Sequence, residues 1–231
     1  MIELIEFDDI KGYLSEADGG AAVVVLHEWW GLVPHILDVA DRFAAEGFTA
    51  LAPDLYHGAM AANEEPDLAE KLLMRMQQNS ARAVSEARRA VAELRRRGYA
   101  KVGIVGFCMG GAVALAASGD LLSLDLDAPP IPQARSVDAT VAFYGIWPKS
   151  GEDSIGTPVL IHVAEHEEHN PPALPENFPK WFAGMDNVEM HIYPGTDHAF
   201  FNDTHGPDCY DEANARLAWN RTISFLRMHL A

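Results

Sequence analysis

Cysteine is scarce in this chain: Cys108 and Cys209 are the two among 231 residues, too few for a disulfide framework. Basic side chains are few as well, 17 Lys and Arg against 34 Asp and Glu, for a formal charge of −17. A surface that acidic repels nucleic acid and anionic membranes, so neither is expected as a partner. The sequence has no apolar run near the roughly 20 residues that a membrane span needs. Its first residues, Met1-Ile2-Glu3-Leu4-Ile5-Glu6, are acidic and alternating, an edge strand rather than a basic-then-apolar signal peptide. Repeats, low-complexity tracts and linkers are missing too. Together these absences point to one domain over residues 1–231, in the cytoplasm, as a monomer or small homo-oligomer.

What is present is an alternation of strand and helix patterns, the mark of a mostly parallel sheet with helices on both faces. After an N-terminal hairpin, Ala21–His27 is the β-branched apolar run of a buried central strand. A helix follows from Pro34 to Gly47 with Ile36, Leu37, Ala40 and Phe43 on one stripe, then a strand over Thr49–Pro53. Residues Pro66–Arg97 read as a long helical stretch broken near Asn79-Ser80, its Arg and Glu residues forming a solvated face. Further strands are expected at 137–144, 159–164 and 188–193, with a closing helix over Tyr210–Leu230 whose Leu217, Ile223 and Leu226 face inward. The Pro-rich stretches 128–132 and 171–179 read as loops.

Chemistry enters at Val102–Ala114, a buried strand, a one-residue turn and a helix. Gly106-Phe107-Cys108-Met109-Gly110 has the G-x-C-x-G spacing of a nucleophile elbow, with cysteine in the place of serine. The glycines have a steric job, because side chains at 106 or 110 would clash where strand passes into helix. The thiol then stands at a helix N-terminus, whose oriented N–H groups favour negative charge. Cys209 lacks such a setting and reads as an ordinary partly buried thiol.

If Cys108 is a nucleophile, an acid and then a histidine should follow, each just past a later strand. His198 occupies the second position, after the last strand and a turn at Gly195, and its imidazole can take and return a proton at neutral pH. Glu165, Glu167 and Glu168 crowd the first position, and spacing alone leaves all three open as the partner that orients the imidazole. His162, His166 and His169 lie beside them, but HExxH and CxxC spacings are missing, so a metal site is not expected.

Four blocks together resemble the dienelactone hydrolase (carboxymethylenebutenolidase) family of the α/β-hydrolase superfamily, over nearly the full length. They are the Gly106–Gly111 elbow, Glu28-Trp29-Trp30-Gly31, Pro158–Pro172 and Tyr193–Asn202. The resemblance implies an α/β-hydrolase fold and hydrolysis of an ester or lactone. It implies that Glu28 interacts with the resting thiol, and that the backbone N–H groups of Trp29 and Met109 form an oxyanion hole. Glu167 falls at the position of the triad acid, with Ala164 in place of the usual glycine three residues before it. Asn202 stands where some members that open dienelactones carry an arginine for the substrate carboxylate, which leaves Arg75 or Arg82 of the helical segment as candidates for that task.

The expected reaction is ester or lactone cleavage through a thiol acyl-enzyme, with no metal or organic cofactor. Cys108, His198, Glu167 and Glu28 are the expected catalytic set, and Trp29, Trp30, Tyr144, Trp147, Phe200 and Asn202 the expected pocket lining. Two alternatives stay open: a carboxylesterase of broad small-ester range, and a non-hydrolytic thiol sensor of electrophiles or peroxide.

Overall fold

In the computed structural model of the chain, residues 2–119, 137–145, 155–167, 184–204 and 209–231 are described. The opening hairpin, β1 (Ile2–Phe7) and β2 (Ile10–Ser15), turns through Asp8 and Asp9, both with positive φ, the turn geometry that matches strand twist. There follow β3 (Ala21–Leu26), α1 (Pro34–Ala45), β4 (Phe48–Pro53), α2 (Pro66–Gln78), α3 (Ser80–Arg96) and β5 (Lys101–Phe107). The remaining elements are α4 (Met109–Ser118), β6 (Ala139–Phe143), β7 (Val159–His166), β8 (Val188–Asp197) and α5 (Glu212–Leu230).

The eight strands form one sheet in the order β1-β2-β4-β3-β5-β6-β7-β8. Pairing is antiparallel on either side of β2 and parallel from β4 to β8, as the alternation of elements requires. Successive strand side chains point to opposite faces, and β3 shows both cores. Val23 and Val25 pack with Ile36, Phe43, Trp219 and Leu226, on the side of α1 and α5. Ala22, Val24 and Leu26 pack with Val84, Val91 and Val113, on the side of α3 and α4.

Two expectations need correction. Leu217 is 43% exposed, and Ala215, Ala218, Trp219, Ile223 and Leu226 form the inward face of α5. Leu217 lies two positions from Trp219, about 200° around the helix. Nor are the acids of α3 all solvated: Glu86 and Glu93 are buried. Arg96 and Arg97 fold their guanidinium groups over Glu93 at 2.7–2.8 Å, and burial of a carboxylate is tolerable when such donors satisfy it. The break near Asn79 is present as expected, between α2 and α3. The Pro-rich stretches 128–132 and 171–179 lie outside the described residues.

Candidate active site

The parallel register brings four strand ends to one edge of the sheet. Phe107 of β5 pairs with Phe143 of β6, Phe143 with His162 of β7, and His166 with Asp197 of β8 across a bulge. The residues that follow these ends are Cys108, Tyr144, Glu167 and His198.

Cys108 sits between β5 and α4 with φ 53° and ψ −119°, a conformation that costs a non-glycine residue about 1–3 kcal/mol. The surroundings hold it there. Its N–H donates to the Phe143 carbonyl at 3.0 Å, and its own carbonyl accepts from Gly111 N–H at 2.9 Å. A Cβ at Gly106 would stand 2.0 Å from the Gly110 carbonyl oxygen, and one at Gly110 would stand 2.6 Å from the carbonyl oxygens of both Leu26 and His27. The elbow glycines are therefore required by closeness of backbone to backbone, as the motif suggested.

His198 Nδ1 lies 2.7 Å from Glu167 Oε2, and the ring stands close enough to Cys108 for the sulfur to act on its basicity. The imidazole is nearly buried and the Glu167 side chain fully so. Burial works against a charged ring, yet the negative field of Cys108 and the Glu167 carboxylate outweigh it, and His198 holds its proton well above the ordinary imidazole value of 6.5. Burial also separates the carboxylates that spacing left open. Glu165 is exposed, and accepts Gly195 N–H at 2.8 Å, tying the ends of β7 and β8 together. Glu168 lies outside the described residues.

Glu28 follows β3, is 2% exposed, and is held by two neutral donors: Tyr144 O–H at 3.0 Å on Oε1 and Asn202 Nδ2 at 2.5 Å on Oε2. These two donors built into the core fix both carboxylate oxygens of Glu28. Asn202 is accordingly buried against Glu28, where a substrate-facing residue was expected. Tyr144 lies with its ring centroid 5.0 Å from that of His198, and burial, reinforced by the Glu28, Cys108 and Glu167 charges, raises its hydroxyl far above the usual phenol value. Phe200 is buried against Tyr144 and Tyr193, and Trp30 against Ala61, Ala69 and Leu72. Trp147 lies outside the described residues.

Trp29 is half-buried directly after Glu28, and Met109 is the first residue of α4, where a helical N–H has no intrahelical acceptor. Two contributors escaped the sequence reading. His27 is fully buried, bridging the Glu28 carbonyl (Nδ1, 2.7 Å) and Leu55 N–H (Nε2, 3.3 Å), and burial lowers its basicity so that the neutral ring serves as a brace. Tyr56 donates its hydroxyl to Met109 Sδ at 3.3 Å. A histidine closing an apolar strand beside an acid was the available signal for the first; Tyr56 had none.

Among the described residues, no group of three His, Cys, Asp or Glu is placed to hold a metal ion. His162 instead binds Tyr193 Oη at 2.7 Å and Thr222 Oγ1 at 2.9 Å inside the core, and burial keeps it far less basic than usual. No helix among the described residues is long and apolar enough to cross a membrane.

The model of the dienelactone hydrolase family matches residues 10–230. Protein usf of Aquifex pyrophilus is 35% identical over 246 aligned positions that cover 100% of both chains. A protein of Aquifex aeolicus named "Putative carboxymethylenebutenolidase" is 33% identical, again over 100% of each. Among solved structures, a dienelactone hydrolase-like promiscuous phosphotriesterase, P91, from metagenomic libraries superposes with a TM-score of 0.79 at 19% identity, covering 100% of this chain and 99% of that one. The esterase PF2001 of Pyrococcus furiosus does so with a TM-score of 0.69 at 14% identity, covering 100% and 91%. These structural likenesses bear on the fold, which is that of the α/β-hydrolases.

Proposed function

Since the chain belongs to the dienelactone hydrolase family, we propose that it cleaves a small ester or lactone through a Cys108-His198-Glu167 triad. The observation that carries this reading is the His198 imidazole bonded to the buried Glu167 carboxylate and set beside Cys108, at the ends of three parallel strands. The name of the Aquifex aeolicus relative favours an enol-lactone substrate.

In the proposed cycle Cys108 Sγ attacks the carbonyl carbon, and the N–H groups of Trp29 and Met109 receive the oxyanion. His198 delivers its proton to the departing oxygen, which in a lactone stays on the acyl chain. It then takes a proton from water, whose oxygen attacks the thioester and frees Cys108 and the acid. Glu167 holds Nδ1 and stabilises the imidazolium throughout. Glu28 is a positioning residue: through Tyr144 and Asn202 it ties the loop after β3 to the loops after β6 and β8.

The test is acid release from a panel of enol lactones, saturated lactones and aryl esters. Enol-lactone cleavage well above the saturated lactones is expected. Faster turnover of open-chain esters would transfer the assignment to a general carboxylesterase, and thiol alkylation without acid release would overturn hydrolysis altogether.

The raised basicity of His198 has a measurable sign. A ring whose affinity for the proton exceeds the free value stays charged as pH climbs past 6.5, and loses its proton only well beyond. Cleavage of an alkyl ester, whose leaving oxygen needs that proton, should hold its kcat/KM above pH 6.5 and decline in the alkaline range. A decline centred near 6.5 would show that Cys108 and Glu167 do not act on the ring as proposed.

A further inference from the structure

An oxyanion donor works only when it is aimed, and the core holds the peptide that carries one of the two. Glu28-Trp29-Trp30-Gly31 closes a turn in which Gly31 N–H donates to the Glu28 carbonyl at 3.1 Å. The same carbonyl lies 2.7 Å from Nδ1 of His27, whose side chain is fully buried. That carbonyl belongs to the peptide whose nitrogen is that of Trp29. The peptide is trans, so its C=O and N–H lie on opposite edges. With the carbonyl held twice, the Trp29 N–H is turned the other way, off the His27 ring.

One arrangement of hydrogens fits the His27 ring. A carbonyl can only accept, so Nδ1 carries the hydrogen; Leu55 N–H, 3.3 Å from Nε2, can only donate, so Nε2 is bare. Burial keeps the ring neutral against the pull of the Glu28 carbonyl and of the Asp54 and Glu28 carboxylates. The surroundings of the ring lead on to the second donor. Tyr56 meets His27 edge-on, with centroids 4.8 Å apart, and gives its hydroxyl to Met109 Sδ. Asp54 fixes that loop by accepting the N–H groups of Tyr56 and Gly58. A Cβ on Gly110 would stand 2.6 Å from the His27 carbonyl oxygen, so residue 27 and the elbow are in main-chain contact.

We propose that His27 is a positioning residue for the reaction: its Nδ1–H fixes the plane of the Glu28–Trp29 peptide and so aims the Trp29 N–H at the substrate oxygen as charge develops there. This role rests on the thiol acyl-enzyme reading above, in which that N–H receives the oxyanion. Hydrogen bonding at the carbonyl also polarises the peptide, which strengthens its N–H as a donor. The benefit falls on the transition state, because the carbonyl oxygen of a bound ester carries little charge, and so it belongs to kcat and not to KM.

Two substitutions separate the ring nitrogens. In His27→Asn the amide nitrogen is bonded to Cγ, as Nδ1 is, and can serve the Glu28 carbonyl. In His27→Gln the amide lies one carbon further out, at the level of Nε2, and serves Leu55 instead. His27→Gln is expected to lower kcat by about tenfold to a hundredfold with KM within about twofold. It should weaken by a similar factor an aryl trifluoromethyl ketone, which adds Cys108 Sγ to its carbonyl carbon and leaves the charge on oxygen. His27→Asn, although smaller and so less stable to heat, should keep kcat within about threefold of the parent. Alkylation of Cys108 by iodoacetamide, which displaces iodide and forms no oxyanion, should run at the parent's rate in both variants. In the parent itself, the ring-nitrogen shifts of His27 in NMR should show hydrogen on Nδ1 and a bare Nε2.

A parent ring with hydrogen on Nε2, unchanged kcat in His27→Gln, a kcat that follows heat stability and falls further in His27→Asn, or slowed alkylation would each overturn the role of His27 and leave the acyl-enzyme standing. A parent that neither releases acid nor takes the ketone on Cys108 would overturn the acyl-enzyme reading, and this role with it.

Discussion

Cys108→Ala is expected to lower kcat for the best substrate of the panel by at least about ten-thousandfold, the scale on which loss of a nucleophile acts when oxyanion donors and binding remain. Alanine keeps the Cβ and removes only sulfur, so the left-handed backbone at 108 and its hydrogen bonds to Phe143 and Gly111 are retained. Circular dichroism and the unfolding midpoint should therefore stay close to those of the parent. Mass spectrometry after rapid quenching should find an acyl adduct on the parent and none on the variant. A variant that keeps more than a few per cent of turnover would remove Cys108 from the mechanism, whatever its place in the fold.

Glu167→Gln is expected to cost about 10²–10⁴ in kcat/KM. The amide is nearly isosteric, but it no longer opposes the positive charge of His198 and no longer selects the tautomer with hydrogen on Nδ1. Because Glu167 is one of the groups that raise the basicity of His198, the alkaline decline of the alkyl-ester profile should also move to lower pH, a change that mere loosening of the loop would not produce. Glu165→Gln is the internal control, since that side chain is exposed and engages a backbone N–H of the neighbouring strand β8. It should alter rate by less than about twofold. Glu168→Gln completes the set: if that substitution is the damaging one and Glu167→Gln is silent, the acid is misassigned.

The contrast between these carboxylates shows how far the sequence could be read. Cys108 and His198 were legible because local chemistry marks them: glycines flank the first at elbow spacing, and a strand with Gly195 near its end precedes the second. Choosing among Glu165, Glu167 and Glu168 was not possible from spacing, because the bulge between Ala164 and His166 decides which way Glu165 and Glu167 point, and a bulge leaves no periodic trace. The partners of Glu28 were hidden for another reason. Tyr144 and Asn202 lie 116 and 174 positions away, and the pairing arises only when the ends of β3, β6 and β8 converge.

Charge was read well in sum and poorly in place. The acidic total was plain, while the burial of Glu86 and Glu93 within α3 follows from arginines folding back over them, which an alternating charge pattern does not distinguish from a solvated face. The inward stripe of α5 shows the same limit. Leucine at 217 carries the hydrophobicity, yet the phase set by Trp219, Ile223 and Leu226 turns it outward.

The close main-chain approaches that seat position 108 involve no sulfur. They run from Gly106 to Gly110, from Gly110 to the carbonyls of Leu26 and His27, and from Gly111 to Gly145, all of them between main chains. The elbow is thus a socket whose shape is independent of the tool it carries: whichever short side chain is mounted there meets the same imidazole and the same helix terminus. Location is supplied by the scaffold and reactivity by a single interchangeable atom, so the two can be altered separately, by changing glycines for the one and residue 108 for the other.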